Sequence, residues 1–101
     1  MTPSAKLQKY LRKAVEASGG SFRGCQWKGR AGCPDCFCWW PGGLVCFVEV
    51  KAGRDKLRPE QVRDVARLRK DGVPVFEARS EGDMDAIVAE MLEKSRIGGL
   101  Q

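Results

Sequence analysis

The sequence contains no histidine among its 101 residues. This absence excludes mechanisms in which imidazole is the base, the proton shuttle or a metal ligand, including Ser-His-Asp hydrolysis, Cys-His proteolysis and zinc fingers with histidine ligands. A carboxylate, a lysine, a thiol or a hard metal ion must therefore carry any chemistry. The length and the 43% share of hydrophobic residues predict one small domain over residues 1–101 with a modest core.

Long hydrophobic runs are also missing. The longest, Cys36 to Trp40 and Leu44 to Val48, are far too short to cross a bilayer, and the N-terminus has no apolar stretch typical of a signal peptide. We therefore expect a cytoplasmic protein with no membrane partner. Five cysteines, an odd number, favour reduced thiols over a disulfide framework in such a protein.

Positive charge is present in excess and is unevenly distributed. Eighteen Lys and Arg against 13 Asp and Glu give a formal net charge of +5. Residues 1–34 hold seven basic side chains and one acidic one, whereas residues 80–101 hold two basic and five acidic ones. Such a bias indicates either a solvated helix face or a nucleic-acid contact surface, and composition alone leaves both open.

Hydrophobic periodicity and turn signals predict seven elements. They are a helix from Pro3 or Ser4 to Gly19, strands over 21–28, 35–40 and 44–51, a helix from Pro59 to Gly72, a strand over 73–78 and a last helix after Ser80. The predicted buried stripes are Leu7, Tyr10, Leu11, Ala14 and Val15, then Val62, Val65, Ala66 and Leu68, and finally Met84, Ile87, Val88, Met91 and Leu92. This order, α-β-β-β-α-β-α, predicts an α/β domain whose mixed sheet is flanked by helices.

Pro41-Gly42-Gly43 predicts the turn of an antiparallel hairpin, and its length decides where two carboxylates lie. If all three residues form the loop, Trp40 pairs with Leu44, and Asp35 lies opposite Glu49 on one face. A two-residue loop would place these carboxylates on opposite faces. Both registers are open at this point.

In the first register, Asp35 and Glu49 face each other about 5 Å apart at Cβ. Lys51 shares their face because it lies two residues after Glu49 in the strand. Two such carboxylates repel each other unless a cation lies between them, and Mg²⁺ or Mn²⁺ accepts this kind of oxygen site. Lys51 could then orient a nucleophile or stabilise charge on a phosphate. The alternative is a surface ion pair of little energetic value.

The segment Gly32-Cys33-Pro34-Asp35, with Glu49-Val50-Lys51 beginning fourteen positions after the aspartate, resembles the signature of the PD-(D/E)xK nuclease superfamily. More narrowly, the chain resembles the virus-type replication-repair nuclease (VRR-NUC) family. The Gly-Gly turn, Leu57-x-Pro59-x-Gln61 opening a helix, and Leu68 followed by Gly72 fit the same family. The resemblance runs from Gly20 to about Ala86.

The resemblance implies a restriction-endonuclease-like core and a divalent-metal-dependent endonuclease acting on DNA. The implied substrates are nicked, branched or Holliday-junction-like DNA in phage replication, recombination or repair, in a bacterial or phage-infected cytoplasm. It assigns Asp35, Glu49, Lys51 and Gln61 to catalysis. Asp35, Glu49 and the Val50 backbone carbonyl are the implied ligands of Mg²⁺ or Mn²⁺. With Lys28, which matches a basic position of the family, the expected DNA contacts are Arg23, Arg30, Arg54 and Lys56.

One departure from the family concerns the first helix. Members often carry an acidic residue near its start, where this chain reads Ser4-Ala5-Lys6. The departure leaves one metal ion or two as alternatives, and Glu16 is expected to be a solvated surface residue. Small members of the family also form homodimers, and a dimer would cover exposed aromatic residues such as Trp39 or Trp40.

Three cysteines, Cys33, Cys36 and Cys38, lie within six residues and suggest zinc. The alternative function is accordingly a non-catalytic basic DNA-binding module stapled by zinc through these thiols. Against it, Cys36 and Cys38 share one strand face, and Cys46 lies opposite Cys38 in the three-residue-loop register. This pattern favours core packing, where a buried cysteine behaves as a small hydrophobic residue.

Overall fold

The computed structural model describes residues 1–98 and contains the seven predicted elements in the predicted order. They are α1 (Pro3–Ala17), β1 (Ser21–Gly24), β2 (Cys36–Trp40), β3 (Leu44–Val50), α2 (Pro59–Lys70), β4 (Val75–Ala78) and α3 (Glu81–Gly98). The fold is α/β, with a mixed sheet flanked by helices. Within residues 1–98, no helix is long and apolar enough to span a membrane.

The sheet has the strand order β1-β2-β3-β4. β1, β2 and β3 are antiparallel neighbours, and β4 runs parallel to β3. Trp40 pairs with Leu44, so the hairpin loop contains three residues and the first of the two registers is the correct one. Gly42 and Gly43 both have positive φ, 96° and 79°, a conformation that glycine adopts without steric cost.

One face of the sheet forms the main core with α1 and α3. Strands β2 and β3 contribute Cys36, Cys38, Trp40, Cys46 and Val48, and the helices contribute Leu11, Val15, Met84 and Met91. The prediction that Cys36, Cys38 and Cys46 pack in the core is therefore confirmed. Trp40 is 3% exposed and its ring nitrogen donates to Ser18 Oγ over 2.8 Å, so of the two tryptophans named for a dimer surface, Trp40 is buried and Trp39 is partly exposed.

The opposite face of the sheet is covered unevenly. Helix α2 packs against β4, while the side chains of Trp27, Phe37, Trp39 and Phe47, here called the aromatic face, stack on one another. Phe37 lies with its ring centroid 5.4 Å from that of Trp39 and 4.9 Å from that of Phe47, and Trp27 lies 5.5 Å from Phe47. Phe37, Trp39 and Phe47 remain partly exposed.

Two stretches predicted as strand are irregular. The strand predicted over 21–28 ends at Gly24. The Cys25 N–H still donates to the Asp35 carbonyl over 2.7 Å, one step beyond the last ladder pair, and the chain after it is irregular. The strand predicted over 73–78 begins only at Val75, since Pro74 has no N–H for the ladder.

The buried side of α2 differs from the predicted stripe. Gln61, Asp64 and Val65 are buried, whereas Val62 is 52% exposed and Ala66 is also exposed. Relative to the predicted stripe, α2 is rotated so that Gln61 faces β3 and Asp64 faces the loop before β2. In α3, Leu92 is likewise exposed, while the other four members of its predicted stripe are buried.

Candidate active site

Asp35 and Glu49 meet at the open end of the β2–β3 hairpin. The last ladder pair is Cys36 with Val48, so the two carboxylates lie one step beyond it. Asp35 Oδ1 accepts a hydrogen bond from the Val50 N–H over 3.2 Å. The aspartate side chain therefore joins the two strands where their backbone ladder stops, and this bond fixes its carboxylate beside Glu49.

Helix α1 holds the second oxygen of Asp35. Gln8 Nε2 donates to Asp35 Oδ2 over 3.1 Å. Gln8 is not among the predicted site residues, although it is a polar residue three positions before Leu11, on the edge of the apolar stripe of α1. Both oxygens of Asp35 thus accept a hydrogen bond, one from the hairpin and one from α1.

Glu49 is buried, with 4% of its surface exposed. Its Oε1 accepts a hydrogen bond from Gln61 Nε2 over 3.1 Å and lies 4.0 Å from Lys51 Nζ. Its Oε2 is buried and has no hydrogen-bond partner among the residues that the structure describes. Burial, and next the charge of Asp35, raises the pKa of Glu49 to about 7, against a smaller opposite effect of Lys51.

Gln61 reaches Glu49 because of its place at the start of α2. Arg58 is the N-cap and Pro59 occupies the first helical turn, as expected for a proline at that position. Gln61 Oε1 accepts from the Arg58 N–H over 2.9 Å while its Nε2 donates to Glu49. One side-chain amide therefore caps the helix and orients the carboxylate.

These groups line an open cleft of about 770 Å³. Of the predicted site residues, the cleft lining includes Lys28, Arg30, Asp35, Glu49, Val50, Lys51 and Gln61. Three predicted DNA contacts lie outside the lining: Arg54 and Lys56 are exposed on the loop after β3, and the Arg23 guanidinium lies 5.2 Å from the Trp39 ring centroid. Ser4, Trp27 and Arg58 line the cleft without having been predicted to do so.

The loop leading to Asp35 is clamped on two sides. Trp27 Nε1 donates to the Pro34 carbonyl over 2.7 Å. On the other side, Gly32 is so close to α2 that a methyl group in its place would overlap the Glu60 carbonyl and the Asp64 carboxylate. The Gly-x-Pro-Asp segment is therefore fixed by packing, and only glycine fits at its first position.

The donor set suits a hard cation better than zinc. Within residues 1–98, no group of three or more Cys, Asp or Glu side chains is placed to hold an ion. Two carboxylates, with waters and a substrate phosphate completing the shell, form a usual Mg²⁺ site. Glu16 adds no ligand, since it is exposed and paired with Arg12 at 2.9 Å.

The three cysteines of the zinc hypothesis do not form a site. Cys33 lines the cleft, whereas Cys36 and Cys38 are fully buried in the core on the other side of the sheet. Burial also raises the pKa of the Cys36 thiol, which disfavours the thiolate form that zinc binds.

Comparison with known proteins agrees with this geometry. A family model for the VRR-NUC domain matches residues 3–82. The chain belongs to the VRR-NUC family. This VRR-NUC chain is 35% identical over 82 residues to the protein named "Putative nuclease p44" of Acyrthosiphon pisum secondary endosymbiont phage 1, a match that covers 81% of this chain and 87% of that protein.

A solved structure described as a VRR_NUC domain superposes on the chain with a TM-score of 0.82 and 37% sequence identity. The match covers 88% of this chain and 97% of that chain. The α-β-β-β-α-β-α fold is thus that of the family. Together these matches support a nuclease activity for the VRR-NUC chain.

Proposed function

We propose that this VRR-NUC chain is a divalent-metal-dependent endonuclease that hydrolyses DNA phosphodiester bonds in the cleft. The observation that supports this most directly is Glu49 Oε2, a buried oxygen that has no hydrogen-bond partner within residues 1–98, next to Asp35 at the end of the hairpin. A buried carboxylate oxygen without a partner costs free energy. A Mg²⁺ or Mn²⁺ ion held by Asp35, Glu49 and the Val50 carbonyl would remove that cost.

The protein groups then have distinct roles. When bound, the metal ion supplies Lewis-acid polarisation of the phosphodiester and activation of a water. Gln8 and Gln61 hold the two carboxylates in fixed orientations. Lys51, with 17% of its side chain exposed, is placed to stabilise negative charge on the phosphoryl oxygens as the water oxygen bonds to phosphorus and the ester P–O bond breaks.

Lys28, Arg30 and Arg58 line the same cleft and give it the positive charge that a DNA backbone requires. We propose nicked, branched or Holliday-junction-like DNA as the preferred substrate, in phage replication, recombination or repair in a bacterial or phage-infected cytoplasm. The support is the family resemblance together with the phage origin of the relative. A homodimer formed through the aromatic face would present two such clefts to one branched substrate.

Cleavage of supercoiled plasmid and of a synthetic four-way junction, each with Mg²⁺, Mn²⁺ or EDTA, tests the proposal. We expect metal-dependent cutting that is abolished by EDTA. Asp35→Asn and Lys51→Ala should each lower the rate by at least about a hundredfold, the usual range for a lost charge-stabilising or activating group.

Glu16→Gln and Lys94→Ala are matched controls, because both residues are exposed and paired at the surface outside the cleft. They should retain wild-type rates. Cutting that survives Asp35→Asn or Lys51→Ala would place the reaction elsewhere on the protein. DNA binding without cleavage of any substrate would favour the non-catalytic DNA-binding module instead.

A further inference from the structure

Helix α2 carries a row of cations on the side that faces solvent. Arg63, Ala66, Arg67 and Lys70 follow the i, i+3, i+4, i+7 spacing of one helix face. Together with Arg30 and Asp64 they line a shallow depression of about 310 Å³. We call Arg63, Arg67 and Lys70 the α2 stripe.

The side chains of the α2 stripe contribute little to the stability of the fold. Arg63 and Lys70 are exposed, and within residues 1–98 no carboxylate lies within 4.0 Å of either. Arg67 is 73% exposed and pairs with Asp71 at 3.3 Å on the surface of the same helix, a kind of ion pair that contributes little stability. Arg69, by contrast, is used structurally, since two of its nitrogens donate to the Val75 carbonyl.

The floor and flank of this depression suit an incoming anion. Ala66 lies between the cations, so its short side chain leaves room for a group to approach the helix. Asp64, the one carboxylate among the described residues of the lining, is 7% exposed and lies 3.9 Å from Arg30, so it presents little negative charge to the solvent. The exposed charge at this surface is therefore positive.

The α2 stripe is continuous with the catalytic cleft. Arg30 lines both the cleft and the depression, and Gln61, the contact of Glu49, begins the same helix. Along α2, Arg63 and Lys70 are about 10 Å apart. That length matches about three phosphates of one DNA strand along the duplex axis.

We propose that the α2 stripe, together with Arg30, binds the backbone of the duplex arm that flanks the scissile phosphate, so that α2 fixes the direction in which this arm leaves the cleft. The inference rests on the proposed function, because the cleft defines where the scissile phosphate lies. Arginine side chains suit this role, since their guanidinium groups contact phosphate oxygens in a bidentate manner.

The test compares two triple variants with the same formal charge. One is Arg63→Gln/Arg67→Gln/Lys70→Gln, and the control is Arg12→Gln/Lys94→Gln/Arg96→Gln, whose residues each pair with a neighbouring carboxylate away from the cleft. Binding of a fluorescein-labelled duplex is measured by anisotropy in EDTA across a salt series. Circular dichroism verifies that both variants keep their helix content.

We expect the α2 triple variant to lower the slope of log affinity against log salt by about 2 to 3, and the control by less than about 0.5. On a cleavable duplex substrate with Mg²⁺, its KM should rise at least about tenfold while kcat stays close to wild type, because the lost contacts are made equally in the ground state and the transition state.

Equal slopes for the two triple variants would overturn the inference, since net charge alone would then explain the binding. If wild-type protein cuts DNA and the α2 variant binds and cuts normally, the inference fails and the proposed function stands. If wild-type protein cuts no DNA and only the α2 variant loses duplex binding, the proposed function fails, while the assignment of the α2 stripe as a DNA-binding surface holds.

Discussion

Glu49 is in an unfavourable environment when no metal is present. It is buried, Asp35 lies beside it, and among the described residues only one of its two oxygens has a hydrogen-bond partner. Its pKa is therefore raised to about 7 from 4.5. A carboxyl whose pKa is higher in the folded than in the unfolded state binds more protons when folded, so stability decreases as the pH rises through that interval. The penalty is absent below about pH 4.5 and complete above about pH 7.

Glu49→Gln should consequently stabilise the metal-free protein while abolishing cleavage. The amide keeps an acceptor for Gln61 and cannot ionise, so we expect a gain of about 1 to 3 kcal/mol at pH 8. The gain should vanish near pH 4.5. Urea unfolding in EDTA at the two pH values measures it, with Glu16→Gln as the exposed control. A variant less stable than wild type at pH 8 would contradict this account of Glu49.

The position of Asp35 depends on contacts between the loop before β2 and helix α2 as well as on the hairpin. The loop before β2 lies against α2 at Gly32, where a methyl group would overlap the Glu60 carbonyl and the Asp64 carboxylate. An added side chain must therefore push the loop away from the helix. Because Asp35 follows only three residues later, its carboxylate would move with the loop.

Gly32→Ala should lower the free energy of unfolding by about 1 to 3 kcal/mol, the usual cost of overpacking, and reduce cleavage at least about tenfold. Gly24→Ala is the matched control, because a methyl group there meets no atom within 4 Å and the backbone needs no positive φ. Urea unfolding and the junction assay measure both effects. Wild-type cleavage by Gly32→Ala would show that the loop tolerates displacement.

Local patterns predicted most of the elements, and long-range contacts account for the errors. The Pro41-Gly42-Gly43 loop narrowed the hairpin to two registers, one of which places Asp35 opposite Glu49, because turn and ladder are set by neighbouring residues. Hydrophobic periodicity did not predict which side of α2 is buried. Val62 is exposed while Gln61 and Asp64 are buried, because these two polar residues contact Glu49 and Arg30, which are distant in sequence. The bond from Gln8 to Asp35 spans 27 positions, beyond the reach of any local pattern.

At the scale of the whole molecule, the aromatic face is the surface that we propose as the homodimer interface. Phe37, Trp39 and Phe47 are partly exposed, and their rings lie tilted against one another and against Trp27, with the Arg23 guanidinium 5.2 Å from the Trp39 ring centroid. Aromatic rings bury large apolar areas, and tryptophan is among the residues that contribute most to association. A small chain gains a larger core in this way.

Trp39→Glu should therefore convert the proposed homodimer to a folded monomer. Sedimentation equilibrium should give twice the 11.2 kDa chain mass for wild type and the single mass for the variant. Val62→Glu, which places the same charge on an exposed apolar residue of α2, should remain dimeric. A monomeric wild-type protein at micromolar concentration, or a dimeric Trp39→Glu variant, would rule out this face as the interface.

The side-chain amide of Gln61 couples local unfolding at the start of α2 to the orientation of the Glu49 carboxylate in the site. Its side-chain oxygen accepts the hydrogen bond that closes the first turn of α2, and its side-chain nitrogen donates to Glu49. A rotation of the side chain that breaks one of these bonds therefore also breaks the other. Fraying of that turn, normally an inconsequential opening at a helix end, would release a buried carboxylate in the same event. The lifetime of the aligned site is thus bounded by the opening rate of one helical turn, which amide hydrogen exchange at the start of α2 reports.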